Sequence, residues 1–248
     1  MRQKVFSMLA LLMMAAVGAR AQTTYTVTVK EGTVDAARWS ADPNPAGEGQ
    51  GVTVKYNGKK KVKIVTSVQK TLRPLAEATT ADLGKIAGAD GNIYNTKAAA
   101  EAAYTQAVAM IAYVGSETDN AAYKHGLAIA LNDEGKMNWS TAKSTCEGKS
   151  AVANAAWLLP SKNQWNAMFK AFGGNEESYT GLNTALATAG GDSSKLQETD
   201  WDSNWGYWSS TPSSKDYACR VDLYDGAAHW GVGAMWWNVP RARACLAF

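Results

Sequence analysis

Histidine and cysteine are scarce in this chain, with two of the first and three of the second in 248 residues. The histidines, His125 and His229, lie far apart, and neither has a second ligand at metal spacing. That pattern excludes a readable zinc or transition-metal cluster and leaves both in structural roles. A nucleophile beside a base is also lacking, as is a pair of tuned carboxylates, so no catalytic residue is assigned and no enzyme is expected. The glycines of Gly231-Val-Gly233 are not followed by a helical pattern, which excludes a phosphate loop. Asn132-Asp-Glu-Gly-Lys136 carries two acids, Asp133 and Glu134, below the count of a calcium loop, and reads as a turn. No cofactor and no metal are expected. Internal repeats and low-complexity tracts are absent.

An apolar run long enough to cross a bilayer is missing too. The longest, Phe6 to Val17, falls short of the ~20 residues a span requires, and Arg2 and Lys4 precede it. With Ala19-Arg20-Ala21 as a small-x-small cleavage site, residues 1–21 are expected to be a secretory signal peptide. Three of the 25 basic side chains, Arg2, Lys4 and Arg20, fall in that leader, leaving 22 against 22 acidic ones. A mature chain of near-zero net charge has no bulk electrostatic attraction for nucleic acid or anionic membrane. Neither partner is expected. The anticipated location is secreted, in the periplasm or at the cell surface, where an oxidising environment favours one disulfide among Cys146, Cys219 and Cys245 and leaves one thiol over.

Residues 23–70 read as a small β module. Tyr25-Thr-Val-Thr-Val-Lys30 and Val52-Thr-Val-Lys-Tyr56 alternate β-branched with polar residues, and Asn57-Gly58 predicts a hairpin into Val62 to Val68. Trp39 to Gly51 reads as the loop between the first two strands. Lys59-Lys60-Lys61 reads as solvated charge guarding a strand edge. Residues 71–84, with Pro74 and many Ala and Thr, read as a linker, and a second domain is expected over 85–248.

In that second domain Thr96 to Gln106 is Ala-rich and predicted helical, whereas Ala107 to Val114 and Leu127 to Leu131 are apolar runs of strand length, expected as buried central strands. Asn138 can cap a helix placing Trp139, Ala142 and Cys146 on one face. Ser161 and Gln164 have capping-box spacing ahead of a helix that turns Trp165, Met168 and Phe169 inward and stops at Gly173-Gly174. Tyr179, Leu182, Leu186 and Ala189 outline a third helix.

The last forty-one residues hold a hairpin whose register can be written down. Asp225-Gly226 suits a two-residue turn with positive φ at both positions. Closure there pairs Leu223 with Ala228, Val221 with Trp230 and Cys219 with Val232 on an apolar face. It pairs Tyr224 with Ala227, Asp222 with His229 and Arg220 with Gly231 on a polar one. The apolar face is expected against the core, with Trp208 and Trp230 as packing residues. The polar face is expected outward. Six of ten tryptophans lie between Trp201 and Trp237, and of the adjacent pair Trp236 and Trp237 at most one points inward on an extended strand. The candidate ligand-binding residues are therefore Trp205, Arg220, Asp222, Tyr224, His229, Trp236, Trp237 and Asn238, since exposed aromatics beside polar groups are typical of binding hot spots.

Trp139-Ser-Thr-Ala-Lys-Ser-Thr-Cys146, Trp157-Leu-Leu-Pro-Ser161 with Gln164-Trp165, Tyr207-Trp-Ser-Ser-Thr211 and Arg241-Ala-Arg-Ala-Cys-Leu-Ala-Phe248 occur in that order. Together they resemble secreted bacterial domains of the C-type-lectin-like fold, and within them the Fibrobacter-type major paralogous domain and the retroelement-diversified variable proteins. The N-terminal module resembles those common in secreted proteins of gut Bacteroidetes. The resemblance implies an α+β domain over 85–248 whose chain ends meet, a disulfide between Cys146 and Cys245 with Cys219 a buried free thiol, and a displayed C-terminal sheet that binds a protein or glycan on another cell or surface. The calcium-binding tripeptides of sugar-binding C-type lectins are missing. The formylglycine-generating enzymes share the fold, but their cysteine pair has no counterpart. A relative of those enzymes, or a structural surface or pilus-associated component, are the alternative readings.

Overall fold

The computed structural model describes residues 72–103, 105–173, 178–200, 202 and 205–248, together with five short strands nearer the N-terminus. The expected signal peptide and the Asn57-Gly58 turn lie outside the described residues. Two compact units divide the chain, Met1–Leu72 and Arg73–Phe248.

In the first unit β1 (Thr24–Val27) pairs antiparallel with both β3 (Ala46–Gly47) and β5 (Val68–Lys70), and β2 (Trp39–Asp42) pairs with β4 (Thr53–Tyr56). The stretch expected as a loop, Trp39 to Gly51, thus contributes two strands, β2 and β3.

The second unit is α+β. Its larger sheet is wholly antiparallel and runs β11 (Ala156–Leu158), β16 (Cys245–Ala247), β9 (Gly126–Ala130), β8 (Ala107–Val114), β6 (Ile86–Gly88), β7 (Ile93–Tyr94). Ala109 to Ala112 and Leu127 to Ala130 are buried at consecutive positions, as strands covered on both faces must be. The second sheet runs β10 (Gly135–Lys136), β15 (Arg241–Ala242), β12 (Tyr207–Pro212), β13 (Tyr217–Tyr224), β14 (Ala227–Ala234), with β12 and β15 parallel.

Among the described residues four α-helices join the strands. Thr96 caps α1 (Lys97–Ala102). Asn138 caps α2 (Trp139–Glu147) by accepting from Thr141 N at 3.0 Å, and Ala142 and Cys146 are buried at the expected spacing. In α3 (Lys162–Ala171) the capping box is closed both ways, Gln164 N donating to Ser161 Oγ and Ser161 N to Gln164 Oε1. Trp165, Met168 and Phe169 are buried, and Gly173 follows with φ +78°. α4 (Thr180–Gly190) buries Leu182 and Leu186.

The segment expected as a linker is built into this unit. Leu75, Ala78 and Asp82 are buried. Leu75 N donates to Gly91 O, Gly84 N to Ile111 O and Ile93 N to Arg73 O, while His125 Nε2 lies 2.7 Å from the Ala78 carbonyl oxygen. Pro74 sits in a β-bridge with Asn92. Residues 73–84 therefore lie along the sheet as a strap, and the second unit starts at Arg73 instead of Lys85.

The expected disulfide is absent: Cys146, Cys219 and Cys245 are all free thiols. Cys146 belongs to the core between α2 and the sheets, and Cys245 is completely buried in β16. Burial pushes the Cys146 thiol up to about 12 and the Cys245 thiol well above its ordinary range, which disfavours the thiolate through which disulfide exchange proceeds. Cys219 is half-buried, not sealed in the core. In the native protein a thiol reagent is expected to modify at most Cys219, and all three cysteines after denaturation. Modification of Cys146 or Cys245 in the folded state would contradict this packing.

Candidate functional site

The hairpin β13–β14 forms in the register written from its turn. Asp225 and Gly226 hold φ of +52° and +75°, and the pairs run from Tyr224–Ala227 to Tyr217–Ala234, including Asp222–His229, Arg220–Gly231, Val221–Trp230 and Cys219–Val232. Its two faces do not divide into core and solvent as expected. Val221 and Leu223 are buried on one face, but Arg220 and Asp222, 8% and 4% exposed, are buried on the other.

The cause is that the sheet is covered on both sides. Tyr207 pairs with Val221 and so lies on their face, where its ring meets Trp165 of α3 at 5.8 Å. Trp230 on the same face donates from Nε1 to Asn166 Oδ1 of α3 at 3.0 Å, with the Lys162 ammonium 5.1 Å from its ring. Trp208 pairs with Arg220 and occupies the opposite face, its Nε1 donating to Met137 O at 2.8 Å within the core that also holds Cys146, Trp157 and Leu246. Gly231 and Gly233 make that layer possible. A Cβ on Gly233 would stand 2.8 Å from the Trp208 ring, and one on Gly231 would stand 3.2 Å from the Asp222 carboxylate.

Arg220 and Asp222 form a close buried ion pair. The guanidinium also donates to Trp205 O at 3.0 Å and Val232 O at 3.3 Å, and its Cζ lies 5.4 Å from the Trp205 ring centroid. Trp205 in turn meets Trp237 edge-on at 4.8 Å. Burial pushes Asp222 up to about 6, against the pull of Arg220 and of His229. These four residues are a strut that ties β13 to the loops before β12 and after β14. Tyr224 and His229, both half-buried, stack at 3.9 Å beside the turn. Seven residue steps separate Tyr217 from Tyr224, about 23 Å at ~3.3 Å per residue, so the turn-end pair and the open end cannot form one contact surface around a small ligand.

The open end presents the exposed hydrophobic side chains. Trp236 is 61% exposed, Val232 51% and Tyr217 42%, with the Tyr217 and Trp236 rings 6.1 Å apart. Asn238 is exposed beside them in sequence. Of the residues expected from sequence, the structure thus places Trp236 and Asn238 at an accessible surface, Trp205 and Trp237 half-buried behind it, and Arg220 and Asp222 inside. Tyr217 and Val232 were missed. Parity assigns them to the core face correctly, but α3 covers that face only as far as Trp230, where its first residue Lys162 stands.

A separate groove of about 280 Å³ runs between β8 and α3, lined by Leu83, Tyr113, Val114, Ala167 and Lys170, and none of the expected site residues borders it. Among the described residues no three His, Cys, Asp or Glu side chains are grouped to hold a metal ion, and no helix is long and apolar enough to cross a membrane.

No family model matches the chain, and no curated protein matches it. Among solved structures it is similar to a fimbrial protein from Bacteroides ovatus, with 16% identity and a TM-score of 0.44 over 91% of this chain. The match spans 64% of that protein, less than two thirds of its length.

Proposed function

We propose that this is a secreted or surface-displayed binding protein, without enzymatic activity, that recognises a protein or glycan through Tyr217, Val232 and Trp236. The observation carrying the reading is that three large hydrophobic side chains, two of them aromatic, are exposed at the open end of a hairpin whose central residues Arg220 to Leu223 are buried on both faces. Aromatic faces flanked by polar groups stack on sugars and anchor protein interfaces at small entropic cost. The Arg220–Trp205–Trp237 strut behind them holds the frame from which they project. The C-type-lectin-like reading of the second unit belongs to the same proposal. It is supported by the placement of β6, near the start of the unit, in one sheet with β16 at its end, and by the pairing of α2 and α3 with the motifs quoted for that family.

Trp236→Ala combined with Tyr217→Ala is expected to remove binding on glycan and surface-protein panels while changing stability by no more than about 0.5 kcal/mol, the usual range for exposed positions. A double variant that binds as well as the wild type overturns this assignment of the surface.

A further inference from the structure

The face of the second sheet that carries Tyr207 gathers two guanidiniums, that of Arg243 buried and that of Arg241 partly so, around one carboxylate of the described residues. Arg241 and Arg243 are two residues apart and share a face at the period of a strand. Tyr207 and Lys136 share it as the register partners of Arg241 on either side. Arg243 is fully buried; its Nη2 donates to the Ser194 carbonyl, and its Nη1 lies 3.1 Å from Asp133 Oδ1. Arg241 Nη1 lies 3.5 Å from Oδ2 of the same carboxylate. Asp133 is already engaged by the Tyr207 hydroxyl at 3.1 and 2.9 Å, and that hydroxyl accepts from Gln197 N at 2.8 Å. Neighbouring Glu134 is taken by Lys149 at 2.6 Å.

Arg241 and Arg243 thus share one carboxylate, Asp133, which the Tyr207 hydroxyl also engages. Moreover, three buried guanidinium nitrogens, Arg241 Nε, Arg243 Nε and Arg243 Nη1, have no hydrogen-bond partner, the last meeting Asp133 at ion-pair distance but off the bonding direction. Arginine cannot relieve this by losing its proton, and buried donors left unmade are costly. Whatever completes the cluster must accept hydrogen bonds, and a negative charge suits two guanidiniums that share one carboxylate. We propose that Arg241 and Arg243 hold a single halide-sized anion beside Tyr207. Burial raises Asp133 even with both guanidiniums next to it.

The test is a series of thermal melts of the full chain at constant ionic strength, in which sodium gluconate, too large for the site, is exchanged stepwise for sodium chloride or bromide. Tm is expected to rise saturably, by roughly 5 °C once the halide is ~100-fold above its Kd. Arg241→Gln, at a partly exposed position, is expected to fold and to flatten the response; Arg243→Lys, which keeps the charge but loses the fork, is expected to weaken it. A wild-type Tm indifferent to the identity of the anion means that water satisfies these nitrogens and overturns the proposal. An Arg241→Gln response equal to that of the wild type reduces it to a general salt effect and overturns it equally.

Discussion

Arg220→Ala is expected to cost about 3 to 5 kcal/mol, although the residue sits on the polar face of a hairpin near the molecule's surface. The side chain is buried, and its removal strands Asp222 in the interior beside His229. It also frees the carbonyls of Trp205 and Val232 and leaves the Trp205 ring without its cation. Replacing both partners by apolar residues, Arg220→Met with Asp222→Leu, is expected to be much milder, because no lone charge stays behind. Denaturant titrations of the two variants decide the matter; equal losses would show that the strut works through shape and not through charge.

The same pair sets a pH dependence. Asp222 is raised in the folded protein to about 6, above its ordinary 3.8, so between those values the native state holds a proton that the unfolded chain does not. Its contribution to stability is therefore greatest in acid and declines as pH rises through about 6. Against an Asp222→Asn reference, the wild type is expected to gain relative stability as pH falls from 7.5 to 5.

Much of the local structure was legible because each signal is settled by a few neighbouring residues. Asp225-Gly226 dictates a turn and hence eight cross-strand pairs, Ser161 with Gln164 dictates a helix start, and the apolar runs of β8 and β9 leave no face for solvent. What was not legible depends on other elements. Alternation along β13 separates two faces but cannot say that Trp208 and Trp205 roof the polar one, since the two glycines admitting that roof are in the partner strand. Nor does it say where the cover from α3 stops, which is why Val232 reads as core and emerges exposed beside Tyr217. Arg243, fully buried in a sequence of small residues, gives no local sign of its burial, and its partners Asp133 and Ser194 come from distant segments. The strap at 73–84 is too short and too polar to show periodicity.

That strap carries the other large effect. Asp82 is buried and gathers its partners from both ends of the segment: Thr79 N at 2.8 Å and Thr79 Oγ1 at 3.0 Å donate to Oδ2, Lys85 Nζ donates to Oδ1 at 2.8 Å, and Arg73 closes on Oδ2. Burial alone would raise this carboxyl, but the hydrogen bonds from Lys85, Thr79 and Arg73 outweigh it and hold it well below the usual range. Asp82→Ala removes every one of these bonds together with the cap of the turn at Thr80–Asp82, and is expected to cost about 2 to 4 kcal/mol. Because the folded value is depressed, the contribution is complete above the unfolded value of ~4 and is lost as pH falls below it. Wild type and Asp82→Asn should therefore differ most at neutral pH and converge in acid, the reverse of the trend at Asp222. A chain beginning at Arg73 is expected to unfold in one cooperative transition, whereas one beginning at Lys85 lacks Leu75, Ala78 and Asp82, uncovers the sheet beside β6 and β8, and is expected to lose that transition. If the shorter chain melts as sharply and as high as the longer one, the strap is not part of the fold's core and the cost assigned to Asp82 is local to its turn.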